Sequence, residues 1–138
     1  NFLAKQEGEL AWRYYLTSHS THDPAAAARF GWGSAVPLAV RVLAPGAVGK
    51  QKPVFTGLAS WPDHVLLVSS RPARYGNGVV LQLRETGGRE ASIRLDELLQ
   101  GKILKNKTHV NVLEEPLNGL DQQLVLQPFE AKMIKLEW

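Results

Sequence analysis

The sequence predicts an all-β protein, an antiparallel β-sandwich with one short helix near Pro24 to Phe30. Two patterns carry that prediction: short runs in which apolar and polar residues alternate, and Gly, Asn and Pro turns that separate them at brief intervals. A third is that only one stretch has helical composition, which disfavours alternating strand–helix architectures. At 138 residues the chain can bury roughly 68% of its unfolded surface, enough for a core without covalent staples.

The first strand candidate is Leu10 to Ser18, with Leu10, Trp12, Tyr14 and Leu16 on one face by period two. It needs a neighbour, because alone it is an exposed edge. Asp23 is placed to cap a helix whose first residue is Pro24; AAAARF continues it, and Gly31 and Gly33 are expected to stop it. Pro37 to Pro45 reads as an edge or terminal strand, with Leu38, Val40 and Val42 on one face and prolines at both ends. From Gly46 to Pro53 the composition turns to Gly, Lys, Gln and Pro, which sets a linker at 49–53 between a segment 1–48 and a sandwich 54–138.

Beyond the linker, His64 to Ser69 is a nearly continuous apolar run, expected to be buried on both faces. Val79 to Glu85 alternates, with Val79, Leu81 and Leu83 inward and Val80, Gln82 and Arg84 outward. Gly87-Gly88 then turns the chain into Ala91, Ile93 and Leu95, a second inward set, so the two segments predict a hairpin. Val110 with Val112, and Leu124 with Leu126, form further inward pairs. The last strand runs from Phe129 to Leu136; Phe129, Ala131 and Met133 share one parity and Ile134 and Leu136 the other, so either both faces are covered or a bulge shifts the phase.

The net charge of +3 is dispersed, with acids interleaved among the bases, so no basic face for nucleic acid is expected. Cysteine is absent, which excludes a disulfide framework and thiolate metal sites and suits a reducing or an oxidising compartment equally. No run approaches the ~18 apolar residues of a membrane span, and the residues after Asn1 lack the basic and apolar regions of a signal peptide.

Few residues are candidates for chemistry. His19, His22 and Asp23 are the clustered metal-type side chains, but a zinc site takes three or four convergent ligands, and a polar turn with Asp23 as helix cap is the simpler reading. Retaining glycoside hydrolysis needs two carboxyl groups roughly 5 to 5.5 Å apart; Glu114 and Glu115 are adjacent, which on a strand sends them to opposite faces. Glu130, just before the last strand, is expected to accept backbone hydrogen bonds or to pair with a base such as Arg71. No catalytic residue is assigned. Trp12 and Trp32 read as packing residues, whereas Trp61 and Tyr75 are candidates for stacking on sugar rings, with edge packing as the alternative. Asn106-Lys107-Thr108 matches the N-glycosylation pattern and is treated as a chance match.

Four short motifs follow one another in the second half: Ser69-Ser70-Arg71-Pro72, Gly76-Asn77-Gly78, Asn111-Val112-Leu113-Glu114 and Pro128-Phe129-Glu130. In that order and spacing they resemble the extreme C-terminal β-sandwich of glycoside hydrolase family 38, the retaining α-mannosidases. Leu10 to Leu43 is similar to the end of that family's large central β-domain. Ala73, Arg74 and Tyr75 depart from the pattern, which often has acids there, and Asp96 to His109 has no close counterpart. The resemblance implies a non-catalytic portion of a longer enzyme. The Asp nucleophile and a zinc-type divalent ion would belong to a catalytic domain absent from this chain, which itself would need no cofactor. The partners it implies are the catalytic and central domains of the same polypeptide, with a glycan as a further one and neither nucleic acid nor a membrane span. The alternatives are a carbohydrate-binding module presenting Trp61 and Tyr75, and a free-standing interaction sandwich.

Overall fold

A computed structural model describes residues 8–36, 61–99 and 102–138. Among these lie a helix α1 (Pro24–Ala35) and seven strands: β1 (Val65–Pro72), β2 (Gly78–Glu85), β3 (Ala91–Arg94), β4 (Asn106–Val110), β5 (Pro116–Gly119), β6 (Gln123–Leu126) and β7 (Ala131–Glu137). The fold is all-β and sandwich-like, as its sequence predicts. A five-stranded sheet of order β1-β2-β7-β4-β5 and a two-stranded sheet β3-β6 are both antiparallel throughout.

Register explains the core. Val79 lies opposite Leu136 and Leu81 opposite Ile134 on β2 and β7, while Ala91 faces Leu126 and Ile93 faces Leu124 in the smaller sheet. These side chains join Val65, Leu83, Leu95, Leu98 and Leu99 in one cluster, in which Leu81, Leu83, Leu95, Leu126, Ile134 and Leu136 have no solvent exposure. Burying each such side chain contributes about 1.5–3 kcal/mol. A 3₁₀ turn, Leu95–Glu97, follows β3, and Leu98 and Leu99 after it are buried.

Asp23 caps α1 as expected, its Oδ1 accepting from the Ala26 amide at 3.0 Å with Pro24 following. The helix does not stop at Gly31. It continues to Ala35, because neither Gly31 nor Gly33 adopts the left-handed conformation that ends helices; a right-handed glycine only weakens one, by about 1 kcal/mol.

Several strand expectations are corrected. Leu10 to Ser18 forms no strand: Leu10, Trp12, Tyr14 and Leu16 are all exposed, and no described strand pairs with them. β1 is not buried on both faces, since it is the edge of the larger sheet and a register shift at Leu67/Ser69 bends it. β2 and β3 are not a hairpin. β2 pairs with β1 and β7, and after Glu85 the chain crosses to the second sheet, where β3 meets β6. Gly88 makes that turn at φ +72°, where a Cβ would stand 2.8 Å from Phe129 Cζ. Val110 is buried but Val112 lies past the strand end and is exposed. In β7 the inward parity is Ile134 and Leu136 and the register is continuous; Phe129 precedes the strand, exposed, at φ 61°. The strand expected over Pro37–Pro45 and the linker at 49–53 lie outside the described residues.

Among the described residues no helix is long and apolar enough to cross a membrane. The packing makes a direct prediction. Leu81→Ala should cost about 2–5 kcal/mol in urea unfolding, while Leu16→Ala should change stability by less than about 0.5 kcal/mol.

Candidate functional site

The densest polar arrangement joins the loop after β1 to the turn between β4 and β5. That turn, residues 111–115, is built by Asn111, whose Oδ1 accepts from the amides of Leu113 at 2.9 Å and Glu115 at 3.0 Å and whose Nδ2 donates to Glu115 Oε2 at 2.7 Å. Glu114 is thereby held in the left-handed region, at φ 68°. Its carboxylate accepts from the Arg71 guanidinium and from the Arg74 amide, at 2.9 Å to Oε2 and 3.1 Å to Oε1.

Arg71 lies on the first strand of the larger sheet and Glu114 follows the fourth, so this ion pair spans β2 and β7. Arg71 is in register with Val80, and Val80 with Lys135. Val80, expected outward, is on that face but 1% exposed beneath this row. The Arg71 guanidinium, then the Arg74 amide, hold the Glu114 carboxyl below the usual carboxylate range against the opposing effect of burial. Next in the loop, the Arg74 guanidinium lies 5.4 Å from the centroid of Tyr75, whose ring is otherwise exposed.

Two further carboxylates are fixed in the same manner. Glu85 has no solvent exposure, and it accepts from the amides of Gly87, Gly88 (2.9 Å) and Phe129 (2.7 Å). Burial alone would push its carboxyl up, but the amides of Phe129, Gly87, Gly88 and Arg89 together hold it down. Glu130 accepts from the Gln127 amide at 2.8 Å and pairs with Lys132 at 3.1 Å; the Gln127 amide is the main cause of its lowered pKa, with Lys132 assisting against burial. Beside Glu85, His64 is buried, with Nδ1 3.1 Å from Arg89 Nη2 and Nε2 without a hydrogen-bond partner among the described residues.

The residues singled out from sequence separate under this geometry. Trp61 is packed against the core and its indole donates to Val65 O at 2.9 Å, so its polar edge is engaged internally. Tyr75 is the exposed one of the two. Trp12 is exposed rather than packed in the core, whereas Trp32 is half-buried near Leu66, Val68 and Phe129. Asp23 is committed to its helix cap, with the Ala26 amide as main cause of its lowered pKa, and the described residues hold no group of three or more His, Asp or Glu able to bind a metal. Glu114 and Glu115 sit in a turn and not on a strand, and Glu130 takes backbone hydrogen bonds while Arg71 goes to Glu114.

Sequence reasoning missed Glu85 and Trp138. Glu85 did leave a signal: it shares the inward parity of Leu81 and Leu83 and stands two residues before Gly87-Gly88. No protein-family model matches this chain, and no curated protein matches it in sequence.

The lowered carboxyl groups give stability a defined pH dependence. Because the folded values of Glu114 and Glu130 lie below the ordinary 4.5, their contribution is complete above that value and is lost as pH falls through the lower folded one. Thermal unfolding of the Glu114→Gln/Glu130→Gln double variant should show a lower Tm than the parent at about pH 7. It should also show a shallower loss between about pH 5 and pH 3; parallel profiles would contradict these assignments.

Proposed function

We propose that this chain is a non-catalytic β-sandwich portion of an α-mannosidase-like enzyme resembling glycoside hydrolase family 38, with a structural task toward the catalytic and central domains of the same polypeptide. The observation that carries this reading is where the resemblance motifs meet. Arg71 of Ser69–Pro72 binds Glu114 of Asn111–Glu114. Phe129 of Pro128–Glu130 donates to Glu85, and Glu130 caps Gln127.

These carboxylates are held deprotonated by the protein's own donors. A general acid in a glycosidase needs the opposite, a raised pKa and a free oxygen directed at the leaving group. Glu85, Glu114 and Glu130 thus suit the task of holding loops, and a parent enzyme would draw its nucleophile, acid and divalent ion from other parts of the polypeptide. The exposed apolar side chains of Leu10, Trp12, Tyr14 and Leu16 fit the same reading, as a surface that a neighbouring domain of the polypeptide would cover.

The gene tests this most economically. The reading frame should encode, upstream of Asn1, a hydrolase domain with Asp and His metal ligands, and the whole polypeptide should cleave an aryl α-mannoside and lose that activity to a chelator. Turnover by the present chain alone that disappears in Glu130→Gln, or a reading frame with no hydrolase domain, would overturn the proposal.

A further inference from the structure

The sequence holds two Asn-Gly pairs, Asn77-Gly78 and Asn118-Gly119, and the fold treats them differently. Asn118-Gly119 ends β5, which among the described residues pairs with β4 alone and is exposed along its whole length. Thr108 is in register with Gly119, and the Leu120 amide donates to Lys107 O at 2.8 Å. In an antiparallel ladder that bond flanks a pair that exchanges none of its own, so the Gly119 amide is turned away from β4 toward the open edge. A Cβ at Gly119 would meet no atom within 4 Å.

The structure assigns Asn118 as a site of spontaneous modification, in which the side-chain amide is lost through a cyclic imide. The Gly119 amide nitrogen, after giving its proton to hydroxide, attacks Asn118 Cγ. The N–Cγ bond forms, the Cγ–Nδ2 bond breaks, and Nδ2 takes up a proton and leaves as ammonia. Water then opens the five-membered ring. Addition at Cγ restores the main chain with an aspartyl residue, whereas addition at the backbone carbonyl carbon leaves an isoaspartyl residue, whose main chain runs through Cβ and Cγ and is one methylene longer. One water is consumed and one ammonia released, with nothing oxidised or reduced.

Ring closure needs an uncrowded nitrogen, an amide free of the ladder, and a rotation about the Asn118 Cα–C bond out of the extended form. Gly119 meets the first two needs. The third requires β5 to open locally, and a short exposed edge strand, with a register shift at His109/Val110 beside it, is where such opening costs least. Asn77-Gly78 is held instead. The Asn77 side chain donates to Trp138 O at 3.4 Å, its carbonyl accepts from the Trp138 amide at 3.3 Å, and a Cβ at Gly78 would collide with Leu136 O. Closing a ring there requires β2 to part from β7 inside the sheet. Conversion at position 118 lowers the net charge of +3 by one and puts a negative charge on an open edge, which opposes edge-to-edge pairing with another sheet. The inference stands on this edge alone, and holds whether or not the gene encodes a hydrolase upstream.

Incubating the 138-residue chain at about pH 8 and at about pH 6, followed by peptide mass spectrometry and labelling with an isoaspartyl methyltransferase, tests it. Position 118 should convert from amide to acid, partly as the isoaspartyl isomer, about tenfold faster than position 77, and faster at the higher pH. In urea, where the fold no longer distinguishes the two pairs, their rates should converge. Gly119→Ala, for which the fold has room, should slow conversion at position 118 about tenfold and leave position 77 at its parent rate. The site would be overturned by no conversion at position 118, or by position 77 converting as fast in the folded chain. A preference for position 118 that persists in urea, or Gly119→Ala converting at the parent rate, would overturn it too.

Discussion

A single buried carboxylate governs how the two sheets are joined. Glu85 ends β2, where the chain leaves the larger sheet for β3, and it binds Gly87 and Gly88 of that crossing. It also binds Phe129, which lies in the opposite crossing from β6 to β7, and its own amide donates to Glu130 O at 2.9 Å. Both crossings are therefore pinned by one side chain. An apolar residue there would leave several turn amides buried or half-buried without acceptors, a cost of about 1–3 kcal/mol for each. A carboxylate without those amides would be an uncompensated charge in the interior. The acid and the turns require each other, and this requirement fixes the register in which Leu81 and Leu83 meet Ile134 and the second sheet.

Glu114 does comparable work on the larger sheet. It returns from the turn beyond β4 to Arg71 on β1 and covers Val80, which explains why a strand with alternating pattern is buried on both sides at that point. Fixing Arg71 and the Arg74 amide anchors the loop in which Tyr75 is displayed. Acids thus shape the surface of the larger sheet as well as its crossings.

Much of the fold was legible because period-two burial is a local property. The inward sets Leu81/Leu83, Ala91/Ile93 and Leu124/Leu126 and the Asp23 cap follow from neighbouring residues alone. Partners are not local. A Gly-Gly turn after an alternating strand serves a hairpin and a crossing equally, and only the distant Phe129 and Glu85 decide between them. Leu10 to Leu16 carries a strand pattern with no described sheet to join, and Val112 continues an alternation past the end of its strand. Tyr75 was recognisable as exposed from its Gly-rich turn, but Trp138 gained its place only from residues 70–79 and 99, which no spacing rule links to it.

Amide hydrogen exchange in the parent protein and in Glu85→Ala tests the central claim most directly. The account predicts that Gly88 and Phe129 are protected in the parent and lose protection together in the variant, along with the β3–β6 pairs, while the β1–β2 pairs keep theirs. Gly88 and Phe129 exchanging at unchanged rates in Glu85→Ala would contradict it, because the two crossings would then hold without the carboxylate.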